Sequence, residues 1–161
     1  MTSFAYYNSP IGKIRITAGA HAITDISFVE DEKPLPAGEP LPLLEQCVTQ
    51  LREYFEAGRS KFDFPIAQAG TEFQQRVWRE LSKIPYGRTI CYEEQARRMG
   101  NVKAVRAVGT ANGRNSLSIV VPCHRVVGKD GSLTGYAGGL WRKQWLLEHE
   151  RKVSKIPDFG G

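Results

Sequence analysis

Over the first thirty positions apolar and polar residues alternate. Phe4-Ala5-Tyr6-Tyr7, Lys13-Ile14-Arg15-Ile16-Thr17 and Ala22-Ile23-Thr24-Asp25-Ile26-Ser27-Phe28 place β-branched and aromatic side chains at a period of two, and the breakers Pro10-Ile11-Gly12 and Gly19-Ala20-His21 fall between them. The pattern predicts a small antiparallel meander. Glu30 to Pro42 is charged and holds four prolines, which predicts a loop. Beyond it the period lengthens: Leu43, Leu44, Cys47, Val48, Leu51, Tyr54 and Phe55 recur at helical spacing, with Gly58 as a stop. One amphipathic helix should lie on the sheet, with Cys47 filling its apolar face.

Arg59 to Gly70 reads as a connector, which places a domain boundary at Gly70 and divides the chain into residues 1–70 and 71–161. Thr71-Glu72-Phe73-Gln74 has the form of a capping box before Phe73, Val77, Trp78, Leu81 and Ile84, a helix of about three turns stopped at Pro85-Tyr86-Gly87. Two shorter helical segments, Tyr92 to Met99 and Val102 to Asn112, flank Gly100-Asn101 in the manner of a helix-turn-helix. A helical hairpin without DNA would look the same. The second segment is rich in small residues (Ala104, Ala107, Gly109, Ala111) around a lone Arg106, a surface that a groove wall or another helix could approach closely. The expected class is α+β, with a sheet-plus-helix domain followed by a mainly helical one.

Charge sharpens the division. Residues 1–70 carry 6 Lys/Arg against 9 Asp/Glu, a balance of −3, whereas residues 71–161 carry 16 against 8, or +8. A polyanion meeting the second part is the functional reading, and a solvated basic surface is the bland one. An apolar content of 41% suffices for a core, no apolar run is long enough to span a membrane, and the start lacks the blocks of a secretory signal. A cytosolic location is expected. Cys47, Cys91 and Cys123 are far apart and odd in number, so neither a disulfide framework nor a metal site is expected, and one thiol is available for chemistry.

Candidate chemistry gathers around Cys123. Ser118-Ile119-Val120-Val121 is a short apolar, β-branched run, predicted to be a buried strand that ends at Pro122-Cys123-His124-Arg125. An imidazole and a guanidinium beside a thiol create the electropositive setting that favours a thiolate. Neighbours on a strand point to opposite faces, so His124 beside Cys123 proves nothing by itself, and a water could connect them instead.

Ile119-Val120-Val121-Pro122-Cys123-His124-Arg125-Val126 resembles the active-site signature of the O6-alkylguanine-DNA alkyltransferases. Tyr92, Arg106-Ala107-Val108-Gly109, Asn115, Tyr136-Ala137-Gly138-Gly139 and Lys143-Gln144-Trp145-Leu146-Leu147-Glu148-His149-Glu150 stand at that family's spacing from the cysteine. The likeness runs from Phe73 to Glu150 and is only general in layout before it.

The resemblance implies that Cys123 takes an alkyl group from O6-alkylguanine once and irreversibly, that His124 acts as a base through a bound water, and that Glu150 orients the histidine. It implies that Tyr92 and Arg106 rotate the damaged nucleotide out of the duplex, with Ala104, Ala107 and Gly109 in the minor groove and Arg114, among other basic residues such as Arg97, Arg98 and Lys103, on phosphates. The base pocket would comprise backbone of Cys123 and Val126, the Tyr136 ring and the Ala137 N–H, with Lys143 nearby and Asn115 bracing the preceding turn. The partner is double-stranded DNA carrying O6-alkylguanine, read with little sequence preference by a monomer, and neither cofactor nor metal is implied. Ser116 stands where the family usually has Pro after the Asn, which predicts a looser turn. Non-catalytic relatives that recognise alkylated bases and recruit other factors form the alternative, and they carry Trp where this chain has Cys123. A self-alkylating regulator would need a metal-binding domain, and a Cys-His hydrolase would need no helix-turn-helix.

Overall fold

A computed structural model describes residues 2–30 and 41–155, and the chain falls into two compact units. The loop expected at 30–42 lies, for residues 31–40, outside the described residues, as does the tail from 156.

The first unit comprises Met1–Thr71 and Asn115–Val121. Strands β1 (Ser3–Ser9), β2 (Gly12–Ala18) and β3 (Ile23–Phe28) form an antiparallel sheet in sequence order, with Ser9 opposite Gly12 and Ile16 opposite Ile26. The period-two alternation turns Ile14, Ile16 and Ala18 to one face, where all three are fully buried. Helix α1 (Pro42–Ala57) covers that face with Leu44, Cys47, Leu51, Tyr54 and Phe55, and Gly58, at a φ of 73°, ends it in the left-handed conformation that glycine takes without strain. The Tyr54 and Phe55 rings meet edge to face at 5.1 Å. Burial of each such side chain contributes roughly 1.5–3 kcal/mol.

The segment Ser118–Val121, expected as a strand, is instead a turn. Only Leu117 pairs with the sheet, as an isolated bridge to Ile26, and Ile119 adopts a φ of 73°. The turn satisfies its own backbone: Val120 N–H donates to the Ser118 carbonyl at 2.8 Å, Val121 N–H to that of Leu117 at 2.9 Å. The side chains of Leu117, Ile119 and Val121 are buried, as the apolar run requires. Apolarity reports burial and leaves the backbone conformation open in so short a run.

The second unit comprises Glu72–Arg114 and Pro122–Gly161. Its elements are α2 (Glu72–Leu81), β4 (Ile90–Cys91), α3 (Tyr92–Arg98), α4 (Val105–Gly113), β5 (Val126–Val127) and α5 (Leu140–Ser154). Helices α3 and α4 form the anticipated helix-turn-helix. Gly100, at a φ of 87°, makes the turn, and the Asn101 side chain accepts from the Lys103 N–H at 3.0 Å to start a 3-10 turn (Val102–Ala104) leading into α4. A reciprocal pair of buried amides, Gln95 and Asn112, joins the two helices through bonds of 2.9 and 2.8 Å. Trp78 of α2 donates its indole N–H to the Ala111 carbonyl at 3.0 Å, and Arg76 donates to the Met99 carbonyl at 3.1 Å. Buried polar groups left unmatched would cost about 1–3 kcal/mol each, so these pairs fix the angle between the helices. Among the described residues no helix is long and apolar enough to cross a membrane.

Candidate active site

Cys123 opens a single 3-10 turn, Cys123–Arg125, directly before β5. On this turn successive side chains diverge by about a third of a revolution rather than pointing to opposite faces. Cys123 remains half-buried, while His124 and Arg125 go inward.

Helix α5 brings Glu150 to meet them. His124 Nε2 and Glu150 Oε2 are 2.7 Å apart, and both side chains are buried to within 1% of complete. Arg125 grips the same carboxylate twice, Nε to Oε1 at 2.7 Å and Nη2 to Oε2 at 3.1 Å, and spends Nη1 on the Ile84 carbonyl at 2.8 Å. The Gly87 N–H adds a longer contact of 3.4 Å to Oε1. Burial alone would raise the Glu150 pKa, but His124 and the bonded Arg125 outweigh it and hold the carboxyl well below the usual carboxylate range. Burial moves His124 the other way, below its ordinary value, against the pull of Glu150 and with help from Arg125 and Lys143. A neutral imidazole beside an ionised carboxylate must donate its Nε2–H to it. That tautomer leaves the lone pair on Nδ1, a buried atom with no hydrogen-bond partner in the protein.

Sequence reasoning gave Arg125 to the thiol as part of an electropositive setting. The structure turns its guanidinium to Glu150 and Ile84, so its charge is compensated there. Lys143 is a further buried cation, wholly enclosed on α5; its Nζ donates to the Thr134 carbonyl at 2.7 Å and lies 5.8 Å from the centre of the Tyr92 ring. Burial lowers its pKa and the Cys123 charge raises it. Neither Arg125's double grip nor the part of Thr134 was legible beforehand, because both depend on which way a side chain turns. The other cysteines differ: burial pushes the Cys47 thiol up to about 12, in keeping with core filler, and Cys91 is half-buried on β4.

Tyr92 begins α3, half-buried, with its hydroxyl 3.0 Å from Thr134 Oγ1. Gly109 of α4 lies alongside: a methyl there would stand 4.0 Å from two Tyr92 ring carbons. Val126 is buried in β5, Tyr136 is half-buried, and Ala137 is exposed in the turn that the Gly139 N–H closes onto the Tyr136 carbonyl at 2.9 Å. On α4 the residues Arg106, Ala107 and Thr110 are exposed and Ala111 faces the core, and Ala104 in the preceding 3-10 turn is half-exposed. Arg114 is exposed just past the helix end. Glu94 pairs with Arg97 and Arg98, but Lys103, Arg106 and Arg114 have no carboxylate in ion-pair range among the described residues.

Asn115 belongs to the first unit. Its amide donates to the Val121 carbonyl at 2.8 Å and accepts from the Leu117 N–H at 3.0 Å, so it closes the turn that leads to Pro122. Ser116 does not leave this turn loose. Its N–H, which a proline would lack, donates to Gln68 Oε1 at 2.8 Å, and its hydroxyl lies 3.0 Å from the same oxygen and 3.1 Å from the Thr24 carbonyl.

A helix-turn-helix next to a half-buried thiol, with a buried imidazole–carboxylate pair one residue away, defines a DNA-associated group-transfer protein. The comparisons agree. The family model described as 6-O-methylguanine DNA methyltransferase, DNA binding domain, matches residues 72–152, and that described as its ribonuclease-like domain matches residues 3–68. The methylated-DNA–protein-cysteine methyltransferase of Mycolicibacterium paratuberculosis is 44% identical over 157 residues, covering 96% of this chain and 95% of the relative. That of Methanosarcina acetivorans is 42% identical over 151 residues, covering 91% and 97%. The crystal structure of the Mycobacterium tuberculosis O6-methylguanine methyltransferase superimposes with a TM-score of 0.85 at 40% identity, covering 98% of this chain and 96% of that one. A complex of the tuberculosis protein with DNA gives 0.81 at 42% identity, covering 92% and 93%. The chain belongs to the methylated-DNA–protein-cysteine methyltransferase family, and its enzymatic activity is DNA repair by alkyl transfer.

Proposed function

We propose that the protein transfers the alkyl group of O6-alkylguanine in duplex DNA to Cys123 Sγ, once per molecule. What carries this reading is the buried His124–Glu150 pair, which leaves a lone pair on Nδ1 one residue from a half-buried thiol. His124 takes the thiol proton through one water, and Glu150 steadies the imidazolium that forms. The thiolate attacks the alkyl carbon in line with the C–O6 bond. That bond breaks with its electron pair going to the purine, which takes up a proton and becomes guanine. The thioether has no good leaving group, so the protein is consumed.

The base must first leave the stack, at a cost of a few kcal/mol. Arg106 fills the space it vacates and Tyr92 crowds the phosphate, while Ala104, Ala107 and Gly109 let α4 sit in the minor groove and Arg114 meets phosphate. Backbone of Cys123 and Val126, the Tyr136 ring and the Ala137 N–H receive the rotated base, and a donor at O6 improves the leaving group. Asn115 braces the approach to Cys123, and Lys143 lines the pocket.

The test is to mix the protein with a duplex carrying one O6-methylguanine, weigh the intact protein and map the modified peptide. One methyl on Cys123, with at most one per molecule, is the expected result. Tight binding with no change of mass would make the protein a recognition module and overturn the role of Cys123.

A further inference from the structure

Thr134 lies exposed on the loop between β5 and α5, in the run from Gly128 to Gly139 that also carries Tyr136 and Ala137. Two helices hold it. Lys143 of α5, wholly buried, donates Nζ to the Thr134 carbonyl at 2.7 Å, which fixes the loop backbone at that point. The Thr134 hydroxyl in turn donates to the phenolic oxygen of Tyr92, the first residue of α3, at 3.0 Å. A second tie from the loop to α3, Lys129 to Glu93 at 3.5 Å, joins two exposed side chains, and such a pair contributes little. Thr134 is thus the point at which the loop of the base pocket is pinned to the first helix of the helix-turn-helix.

The pin acts on one atom. Gly109 leaves room beside the Tyr92 ring, since a methyl there would stand 4.0 Å from two ring carbons, so the far end of the side chain takes its direction from the bond to Thr134. Without that bond, rotation about the side-chain torsions would swing the phenolic oxygen away. The bond also bears on the phenolic proton. An oxygen that accepts one hydrogen bond becomes a stronger donor in the next. The Thr134 carbonyl is 3.5 Å from the phenolic oxygen, too far for a strong bond, and is already held by Lys143.

We infer that Thr134 is a positioning residue for alkyl transfer: its hydroxyl aims the Tyr92 phenol at the rotated nucleotide and leaves the phenolic proton for an acceptor there. The inference rests on the role proposed above for Tyr92. It adds the group that gives Tyr92 its direction, supplied by the pocket loop and anchored by Lys143.

Thr134→Val removes the hydroxyl and keeps both the branched shape and the carbonyl that Lys143 uses, whereas Thr134→Ser keeps the hydroxyl. Single-turnover transfer from a duplex carrying one O6-methylguanine should slow about threefold to tenfold in Thr134→Val, the effect of one hydrogen bond, and recover to within about twofold of wild type in Thr134→Ser. Affinity for undamaged duplex should stay the same in both. In a Tyr92→Phe background Thr134→Val should slow transfer no further. Equal losses in the two backgrounds, or a Ser variant as slow as the Val variant, would overturn the inference. Iodomethane should modify Cys123 at the wild-type rate in every variant, and a parallel fall would place the effect on the thiol and overturn it as well. The contact itself is read without DNA, from the NMR resonance of carbon-labelled Tyr92 Cζ: it should move in Thr134→Val and hold in Thr134→Ser, and a resonance that ignores both changes would refute the aiming bond. A wild-type protein that takes no methyl from the duplex would instead sink the proposed function, and the resonance would still decide whether Thr134 holds Tyr92.

Discussion

His124 and Glu150 lie 2.7 Å apart, nitrogen to oxygen, both buried, and Arg125 bonds both oxygens of the same carboxylate. Three functional groups therefore share one negative charge. Replacing Glu150 with Gln keeps the shape and removes that charge, which leaves Arg125 buried and unpaired. The expected loss is roughly 3–5 kcal/mol of stability. Alkyl transfer should slow as well, because the amide no longer favours the imidazolium. Denaturant unfolding and single-turnover transfer on the same preparation measure both effects.

Acid should destabilise the protein in two stages of the same sign. The folded pKa of His124 lies below its ordinary 6.5, so as the pH falls through that value the unfolded chain takes up a proton that the native chain refuses. The stability this group contributes is complete above 6.5 and is lost as the pH falls toward its folded pKa. Glu150, depressed from 4.5, adds a second loss below that value. His124→Gln should flatten the melting temperature over the first stage only. A thermal-shift series between about pH 8 and pH 4 reads this directly, and an unchanged slope in the variant would show that folding does not shift the His124 titration.

Arg106 stands exposed on α4 with no carboxylate in ion-pair range among the described residues, the condition expected of a side chain reserved for DNA. Arg106→Ala should lower the slope of log affinity against log salt by about one if the charge meets a phosphate, and should slow transfer from duplex about tenfold or more if it fills the stack. Transfer from free O6-methylguanine base should not change. Loss of activity on the free base would place Arg106 in the chemistry and remove it from the flipping step.

Cys123 and Cys47 should react in an order set by their surroundings. In native protein a neutral alkylating reagent should modify Cys123 and spare Cys47, which is fully enclosed and pushed up to about 12. Peptide mapping after brief exposure, with and without denaturant, gives the order.

Gln68 and Ser116 should prove coupled. Gln68→Ala leaves the Ser116 N–H without its acceptor, at about 1–2 kcal/mol, while the hydroxyl keeps the Thr24 carbonyl. Ser116→Pro removes the N–H itself, so in the Gln68→Ala background it should cost less than in the wild type. Unfolding of the four proteins measures the coupling, expected at roughly 0.5–2 kcal/mol.

The sheet, α1 and the helix-turn-helix were legible because each is written in a period: two for Ile14, Ile16 and Ala18, and the 3.6-residue turn for Leu44, Cys47 and Leu51. The candidate site was legible as a list, because the motif around Cys123 names its members. What the sequence withheld is direction. Ser118–Val121 looks like a strand because its side chains are apolar, yet Ile119 turns left-handed and the run folds back on itself. Arg125 looks like an asset to the thiol until its guanidinium is found on Glu150, and the motif puts Lys143 near the pocket without showing that it is wholly buried. Ser116 reads as a missing proline, although its N–H does work that proline could not.

Strands β4 and β5 are only two residues each, paired Ile90 to Val126 and Cys91 to Val127. Tyr92 follows the first directly and Cys123 precedes the second by three residues. So short a ladder acts as a gauge block, setting the span between the helices that would meet the double helix and the sulfur that would break its bond. In the proposed reaction, rotation of the nucleotide would then have to supply the motion that brings the alkyl carbon to the sulfur.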